Sequence, residues 1–350
     1  MKTGLLCLFL ASAIAPGTPA LCATPHFSMV DLGGLNTRNP NTIGAAINNN
    51  GEVVGQSLVA GNFHAFYWNG TLHDIGTFGQ GSSYATGIND GGVIIGTAGD
   101  VGASTPILFA FYHGQLLNLR SPQNTYDIVA YLNDMNTIVA SPNSTTNECV
   151  PADTPYVITL PSPMRKPLTI LGCLSYTTVG IDDRDEILAV PYLGTDPKGF
   201  INSNDTDFDP LGSKASKVSM TAIDNQTDHI TGTIQIGSNR YPVLYTPSND
   251  HIMRLPPTSP SLPTGFAFAI NRHDEIVGTA CASTANCDGG NHAFLYEPGI
   301  GTIDLTIVAH LPGGFDEYTG VAINDRGQIV VDAASPPFGP FHSFLLTPIP

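Results

Sequence analysis

A short pattern of apolar and polar positions recurs along the chain. It runs small residue, Ile or Leu, Asn or Asp, a polar turn, then an apolar pair closed by Gly or Ala. The clear copies are AINNNGEVVG (46–55), GINDGGVIIG (87–96), AINRHDEIVG (269–278) and AINDRGQIVV (322–331). Weaker copies stand at 131–140, 180–189 and 222–232, the last with one extra residue. Asn and Asp suit the turn because their side chains bond nearby backbone N–H groups and tolerate left-handed geometry. Each copy therefore predicts a β-hairpin. The residue before Ile or Leu is Ala or Gly in every copy but one, where it is Tyr131. A small residue there predicts a strand crowded near a central axis.

The turn residues are Asn48, Asn89, Asn133, Asp182, Asp224, Asn271 and Asn324. Subtracting neighbours gives spacings of 41, 44, 49, 42, 47 and 53, the period of propellers and related arrays. A third strand follows each hairpin, as in HAFYWNG (64–70), FAFYHG (109–114), PYVITL (155–160), HAFLYEP (292–298) and HSFLLTP (342–348). A fourth strand is expected after it at LHDIG (72–76), LLNLR (116–120), LTILG (168–172), FDPLG (208–212), IMRLP (252–256) and TIDLT (302–306), which makes only six. The seventh copy stands at the other end of the chain, as SMVDLGG (28–34). An open solenoid has no reason to begin with the last strand of a repeat. A ring does, because the first strand completes the last sheet and removes its free edges. The expected fold is thus all-β, a seven-bladed β-propeller of four-stranded antiparallel blades closed by the N-terminal strand. An open β-solenoid is the alternative.

Composition narrows the function classes. Charged residues make up 12% of the 350, with 37 Gly and 28 Pro, which suits short strands and tight turns. The net charge of −16 disfavours nucleic acid and anionic membrane surfaces. Residues 1–23 read as a cleaved signal peptide: Lys2, an apolar run over 4–15, then Pro16 and Pro19 before small residues, with cleavage after Ala20 or Ala23. Leu21 before Cys22 argues against a lipobox. No later run is long and apolar enough to span a bilayer as a helix. The expected protein is secreted, periplasmic or at the cell surface, and is not membrane-embedded. Residues 24–350 then form one propeller domain. Cys149, Cys173, Cys281 and Cys287 remain after the leader, and an even number in an exported chain points to disulfides. The expected pairs are Cys281–Cys287 and Cys149–Cys173.

The phrases His64-Ala65-Phe66 and His292-Ala293-Phe294, the AIN-x-x-G-x-V-V-G turn and the D-L-G strand ends resemble the bacterial extracellular HAF repeat family. The likeness covers nearly all of the chain after the leader, strongly in the first, sixth and seventh units. It implies an exported, propeller-like fold and supplies no mechanism.

With strands A to D running outward from the axis, A–B and C–D turns share one face, and B–C loops and D–A connections share the other. From hairpin end to the Phe of the third strand, or its equivalent, the B–C lengths run 11, 15, 16, 11, 11, 16 and 13 residues, whereas the A–B turns are uniform. Function concentrates on variable loops, so binding is expected on the B–C/D–A face. The candidate residues there are Asp100, Asp153, Asp288, His310, Asp316, Glu317 and Tyr318. No GxSxG, HExxH, Walker loop or dinucleotide fingerprint is present. His64, His292 and His342 share one repeat position. They cannot converge from different blades, and are expected to bond local backbone groups. Asp205-x-Asp207-x-Asp209 has an oxygen-ligand look that suits calcium, but lacks the Gly and distal Glu of an EF-hand. No metal or cofactor is otherwise expected. The favoured function is a non-catalytic binding or surface-interaction module for an extracellular glycan or protein. The alternative is a carbohydrate-active enzyme using carboxylates at the ring centre. Convergent Asp or Glu with raised pKa at the pore mouth would favour the enzyme, and Ser, Thr and Asn there would favour binding.

Overall fold

The seven hairpins and the strands after them form seven four-stranded antiparallel sheets, seen in a computed structural model. It describes residues 25–79, 81–99, 106–119, 127–142, 155–168, 176–191, 199–201, 206–208, 217–283, 287, 290–335 and 339–349. The chain opens with β1 (His26–Asp31). The first blade is β2 (Thr42–Ile47), β3 (Val53–Val59), β4 (Asn62–Trp68) and β5 (Leu72–Gly76). The second is β6 (Ser82–Ile88), β7 (Ile94–Gly99), β8 (Ile107–Tyr112) and β9 (Gln115–Asn118). The third is β10 (Asp127–Leu132), β11 (Thr137–Pro142), β12 (Tyr156–Thr159) and β13 (Ser162–Pro167). The fourth is β14 (Tyr176–Ile181), β15 (Ile187–Pro191), β16 (Gly199–Ile201) and β17 (Thr206–Phe208). The fifth is β18 (Lys217–Ile223), β19 (Ile230–Ile236), β20 (Asn239–Thr246) and β21 (His251–Arg254). The sixth is β22 (Thr264–Ile270), β23 (Ile276–Cys281), β24 (His292–Glu297) and β25 (Gly301–Asp304), followed by a single helical turn, α1 (Leu305–Val308). The seventh is β26 (Glu317–Ile323), β27 (Ile329–Ala334), β28 (Phe341–Ile349) and, as its outer strand, β1.

The ring closes as the displaced strand predicts. β1 pairs antiparallel with β28, with Asp31 opposite Phe344 and Met29 opposite Leu346. The A strands β2, β6, β10, β14, β18, β22 and β26 touch in sequence, and β26 returns to β2. Apolar cores lie between consecutive blades. Val54 and Ala65 of the first blade meet Ile88, Ile94 and Phe109 of the second, and Val330 and Leu345 of the seventh meet Val53 and Phe66 of the first. Each large side chain buried this way contributes about 1.5–3 kcal/mol.

The two sequence phrases are one packing unit. The Gly that closes the hairpin stands opposite the third-strand aromatic: Gly55 with Phe66, Gly96 with Phe109, Gly278 with Phe294. A Cβ on Gly278 would lie 2.0 Å from the Phe266 carbonyl oxygen and 2.8 Å from the Phe294 ring. The A strand bulges just there, between Ala267 and Ala269, and the same shift recurs in six of the seven A strands at this level. A bulge adds twist and brings the backbone close, and at Gly55, Gly96 and Gly278 this leaves no room for a side chain beside the ring, whereas Val331 stands opposite Phe344 in the seventh blade.

Three expectations shift. Phe109, not Phe111, faces Gly96, so the second B–C connection is two residues shorter than read. A slip of two keeps every side chain on its face, which is why the pattern did not reveal it. The outer strand of the third blade is Ser162–Pro167 rather than 168–172. Its Pro and basic residues read as a loop, but an edge strand tolerates both. The outer strand of the fourth blade is Thr206–Phe208, upstream of most of FDPLG. Among the described residues no helix is long and apolar enough to cross a membrane.

Candidate functional site

The A–B turns converge on the axis and are tied to one another side by side. In the first blade Asn48 Oδ1 accepts from the N–H groups of Asn50 and Glu52, shaping its own turn. Its Nδ2 donates outward to the Asn89 carbonyl of the next blade at 2.9 Å. Asn89 does the same to Asn133 at 3.0 Å, Asn133 to Asp182 at 2.8 Å, Asn271 to Asn324 at 2.9 Å and Asn324 to Asn48 at 2.8 Å. Asp182 and Asp224 cannot donate, since an ionised carboxylate only accepts. There the link between blades passes through cationic or imidazole side chains instead. Arg184 pairs with Asp228 of the fifth blade, and His229 Nδ1 lies 2.5 Å from Asp274 Oδ1 of the sixth.

The residue after each turn Asn or Asp forms a second ring, made of Asn49, Asp90, Asp134, Asp183, Asn225, Arg272 and Asp325. Asp90 Oδ1 accepts from Asn49 N at 2.7 Å, Asp134 Oδ1 from Asp90 N at 2.7 Å, and Asp183 Oδ1 from Asp134 N at 2.9 Å. Asp325 Oδ1 accepts from Arg272 N at 3.2 Å, and Asn49 Oδ1 accepts from Asp325 N at 2.8 Å. Asn49 Nδ2 bridges Asp90 and Asp325, at 3.0 Å to each. All of these but Asp183 rim an axial cavity of about 230 Å³ whose wall includes Thr86, Gly87, Tyr131, Gly180 and Thr221. Burial pushes the Asp134 carboxyl above the usual carboxylate range; the bond from Asp90 N opposes this, and the charges of Asp90 and Asp325 add to it. Burial likewise raises Asp183, with the charges of Asp134, Asp182 and Asp90 adding to it against the bond from Asp134 N.

This cavity opens on the A–B face, opposite the face expected from loop lengths. Its residues were visible in every copy of the turn, but uniform turns carried no sign of function. Of the residues expected on the B–C/D–A face, Asp100, Asp153 and Asp288 lie outside the described residues, as do Cys149, Cys173, Asp205 and Asp209. His310, Asp316, Glu317 and Tyr318 all belong to the segment running from α1 into β26. His310 is exposed, with φ of 51°. Asp316 is exposed, and its carbonyl accepts from Gly290 N at 2.7 Å and Asn291 N at 3.2 Å. Tyr318 is only 6% exposed and packs in the core of the closing blade, its hydroxyl donating to the Pro312 carbonyl. It is a packing residue rather than a surface ligand. Cys281 and Cys287 form the expected disulfide, with Cα atoms 5.6 Å apart. It closes the loop that docks on Asp316.

The shared histidines differ from expectation as well. His64 Nδ1 sits 2.8 Å from Asp74 Oδ2, His292 Nδ1 2.6 Å from Asp304 Oδ2 and His342 Nδ1 3.5 Å from Asp31 Oδ2. Their partners are outer-strand carboxylates, not backbone groups. In the first, sixth and seventh blades the third-strand His thus pairs with an outer-strand Asp, linking strands C and D. Asp182, Glu186 and Asp228 also gather closely, but Arg184 lies among them, 2.8 Å from Asp182 and 3.0 Å from Glu186.

No family model matches the chain, and no curated protein does. Solved structures share its fold. It is similar to oligogalacturonate lyase from Vibrio parahaemolyticus, with TM-score 0.61 and 8% identity over 92% of this chain and 97% of that one. Virginiamycin B lyase from Staphylococcus aureus gives TM-score 0.56 at 11% identity, over 92% and 100%. The β-propeller domain of the Trilobed protease from Pyrococcus furiosus, which has an open velcro topology, gives 0.56 at 10%, over 88% and 95%. At these identities the likeness shows the fold, and the chain is a seven-bladed β-propeller closed by its own N-terminal strand.

Proposed function

We propose that this is an exported, non-catalytic binding propeller of the HAF repeat type, whose ligand is an extracellular glycan or protein. The observation that carries this is the state of the acids at the ring centre. Asp90, Asp134, Asp183 and Asp325 converge there, as a carboxylate enzyme would need. One oxygen of each is instead held by the backbone N–H of the blade before it, which ties neighbouring turns together. The raised carboxyls of Asp134 and Asp183 favour the second reading, a carbohydrate-active enzyme with acids at the ring centre, and the test below separates the two. The three His–Asp pairs sit in three different blades and cannot act together. The lyases and protease among the structural neighbours bear on the fold, not on this chain's chemistry.

A glycan array and an extracellular-protein capture screen with the chain lacking residues 1–23 test the reading. Saturable binding without turnover is the expected result. Cleavage of any bound oligosaccharide, lost in Asp134→Asn and Asp183→Asn, would replace it with the enzyme reading.

A further inference from the structure

The seam between the seventh and first blades holds an ionisable group that no other seam holds at the same level. The residue after the hairpin-closing Gly, Ala or Val is Gln56, Thr97, Ser141, Val190, Thr233 and Thr279 in the first six blades, and Asp332 in the seventh. Where the described hydroxyls cross a seam they do so as neutral groups: Ser141 Oγ lies 2.9 Å from Thr178 Oγ1, and Thr279 Oγ1 lies 3.0 Å from Thr319 Oγ1. Asp332 is only 9% exposed, and its Oδ1 accepts from Gly44 N of the first blade at 3.0 Å. A Cβ on Gly44 would meet Val330 at 2.6 Å and Asp332 Oδ1 at 3.3 Å, so the two blades approach as closely as glycine permits.

Proton counting decides the state of this group. The Ser343 hydroxyl lies within hydrogen-bond reach of two acceptors, the Thr42 carbonyl of the first blade at 3.1 Å and Asp332 Oδ1. It has one hydrogen to give. With Asp332 ionised, one of the two acceptors is left without it. With Asp332 neutral, its own proton goes to Ser343 Oγ and the serine hydrogen goes to Thr42, so both contacts are hydrogen bonds. We propose that the closing seam is a proton-operated clasp, in which a neutral Asp332 donates to Ser343 and Ser343 donates across the seam to Thr42.

No charged partner offsets this. β2 carries no ionisable side chain. On β26, Thr319 stands opposite Asp332, while Glu317 and Tyr318 stand opposite Ala334 and Ala333. On β28, Ser343 is opposite, and His342 faces Ala333 in register and pairs with Asp31. Burial raises the Asp332 carboxyl from 3.8 to about 7, against the lowering effect of the Ser343 and Gly44 bonds. A folded value above the unfolded one means the folded state holds a proton the unfolded chain has lost. The clasp therefore weakens as pH rises from about 4 through 7.

Asp332→Asn keeps Oδ1 as the acceptor for Gly44 and does not titrate. Melting both proteins from pH 5.5 to 8.5 should show the parent falling behind the variant by on the order of 5 °C across that range. Amide exchange, corrected for intrinsic rate, should quicken in the parent at pH 8.5 over residues 42–44 and 341–344 relative to the variant. If Asp332→Asn fails to fold, Asp332→Thr, the residue of the second, fifth and sixth blades, takes its place in both measurements. A melting difference that does not change with pH, or quickened exchange spread evenly over the chain, would overturn the proposal.

Discussion

The Asn324 side-chain amide donates to the Asn48 carbonyl at 2.8 Å, joining residues 276 positions apart. The same bond runs between neighbouring turns wherever the turn residue is Asn, so this is the member of the ladder that crosses the point of ring closure. Asn324→Asp keeps the acceptor and removes the donor. It should cost about 1–2 kcal/mol in urea unfolding, because the Asn48 carbonyl then keeps only its turn bond from Gly51 N–H. An unchanged midpoint would show that the ladder is a by-product of turn geometry.

Gly278→Ala should be far more damaging than an ordinary surface Gly→Ala. The added Cβ would strike the Phe266 carbonyl, which cannot move without undoing the bulge. The expected loss is about 3 kcal/mol, the upper end of overpacking costs. Gly237→Ala meets nothing within 4 Å and is the control for left-handed strain alone, with φ of 63°.

Deleting residues 26–34 should open the ring. It strips β1 from β28 and removes Leu32, which is 5% exposed in the core between the seventh and first blades. A loss on the order of 3–5 kcal/mol is expected, with aggregation through the bared edge. A truncated protein that melts with the parent would refute closure by β1.

The Cys281–Cys287 bond closes only a short loop, so its removal puts about 2 kcal/mol at most at stake. The effect should be local. In Cys281→Ser/Cys287→Ser, amide exchange should rise at Gly290, Asn291 and Tyr318, whose N–H groups join this loop to the segment entering β26. Exchange rising in distant blades instead would assign the bond a global role.

The raised carboxyls of Asp134 and Asp183 make a pH prediction. Their folded values lie above the unfolded ones, so they lower stability as pH rises above about 3.9 and through the folded values. Asn at both positions can still accept from the Asp90 and Asp134 N–H groups. The double variant should melt above the parent at pH 7–8, with the gain fading towards pH 3.5. A gain independent of pH would point to packing, not charge.

The sequence by itself determined the repeat, the number of blades and the mode of closure. Each hairpin is written locally, in an Asn or Asp that shapes its own turn and the apolar pair after it, and the strand at 28–34 is the missing member of the last blade. It also marked Cys281 and Cys287, because six residues of separation bring two cysteines together almost regardless of fold. Only the tertiary structure decided what the repeated residues do for one another. Asn48 and Asn89 are 41 residues apart, and nothing local says that the side chain of one serves the backbone of the next. His64 finds Asp74 rather than a backbone group because the register of β4 against β5 sets their distance. The axial acids Asp90, Asp134, Asp183 and Asp325 stand at one position in four of the seven turns. They became a shared electrostatic site only when closure brought like charges from different blades to one axis, where burial and neighbouring charge raise the Asp134 and Asp183 carboxyls.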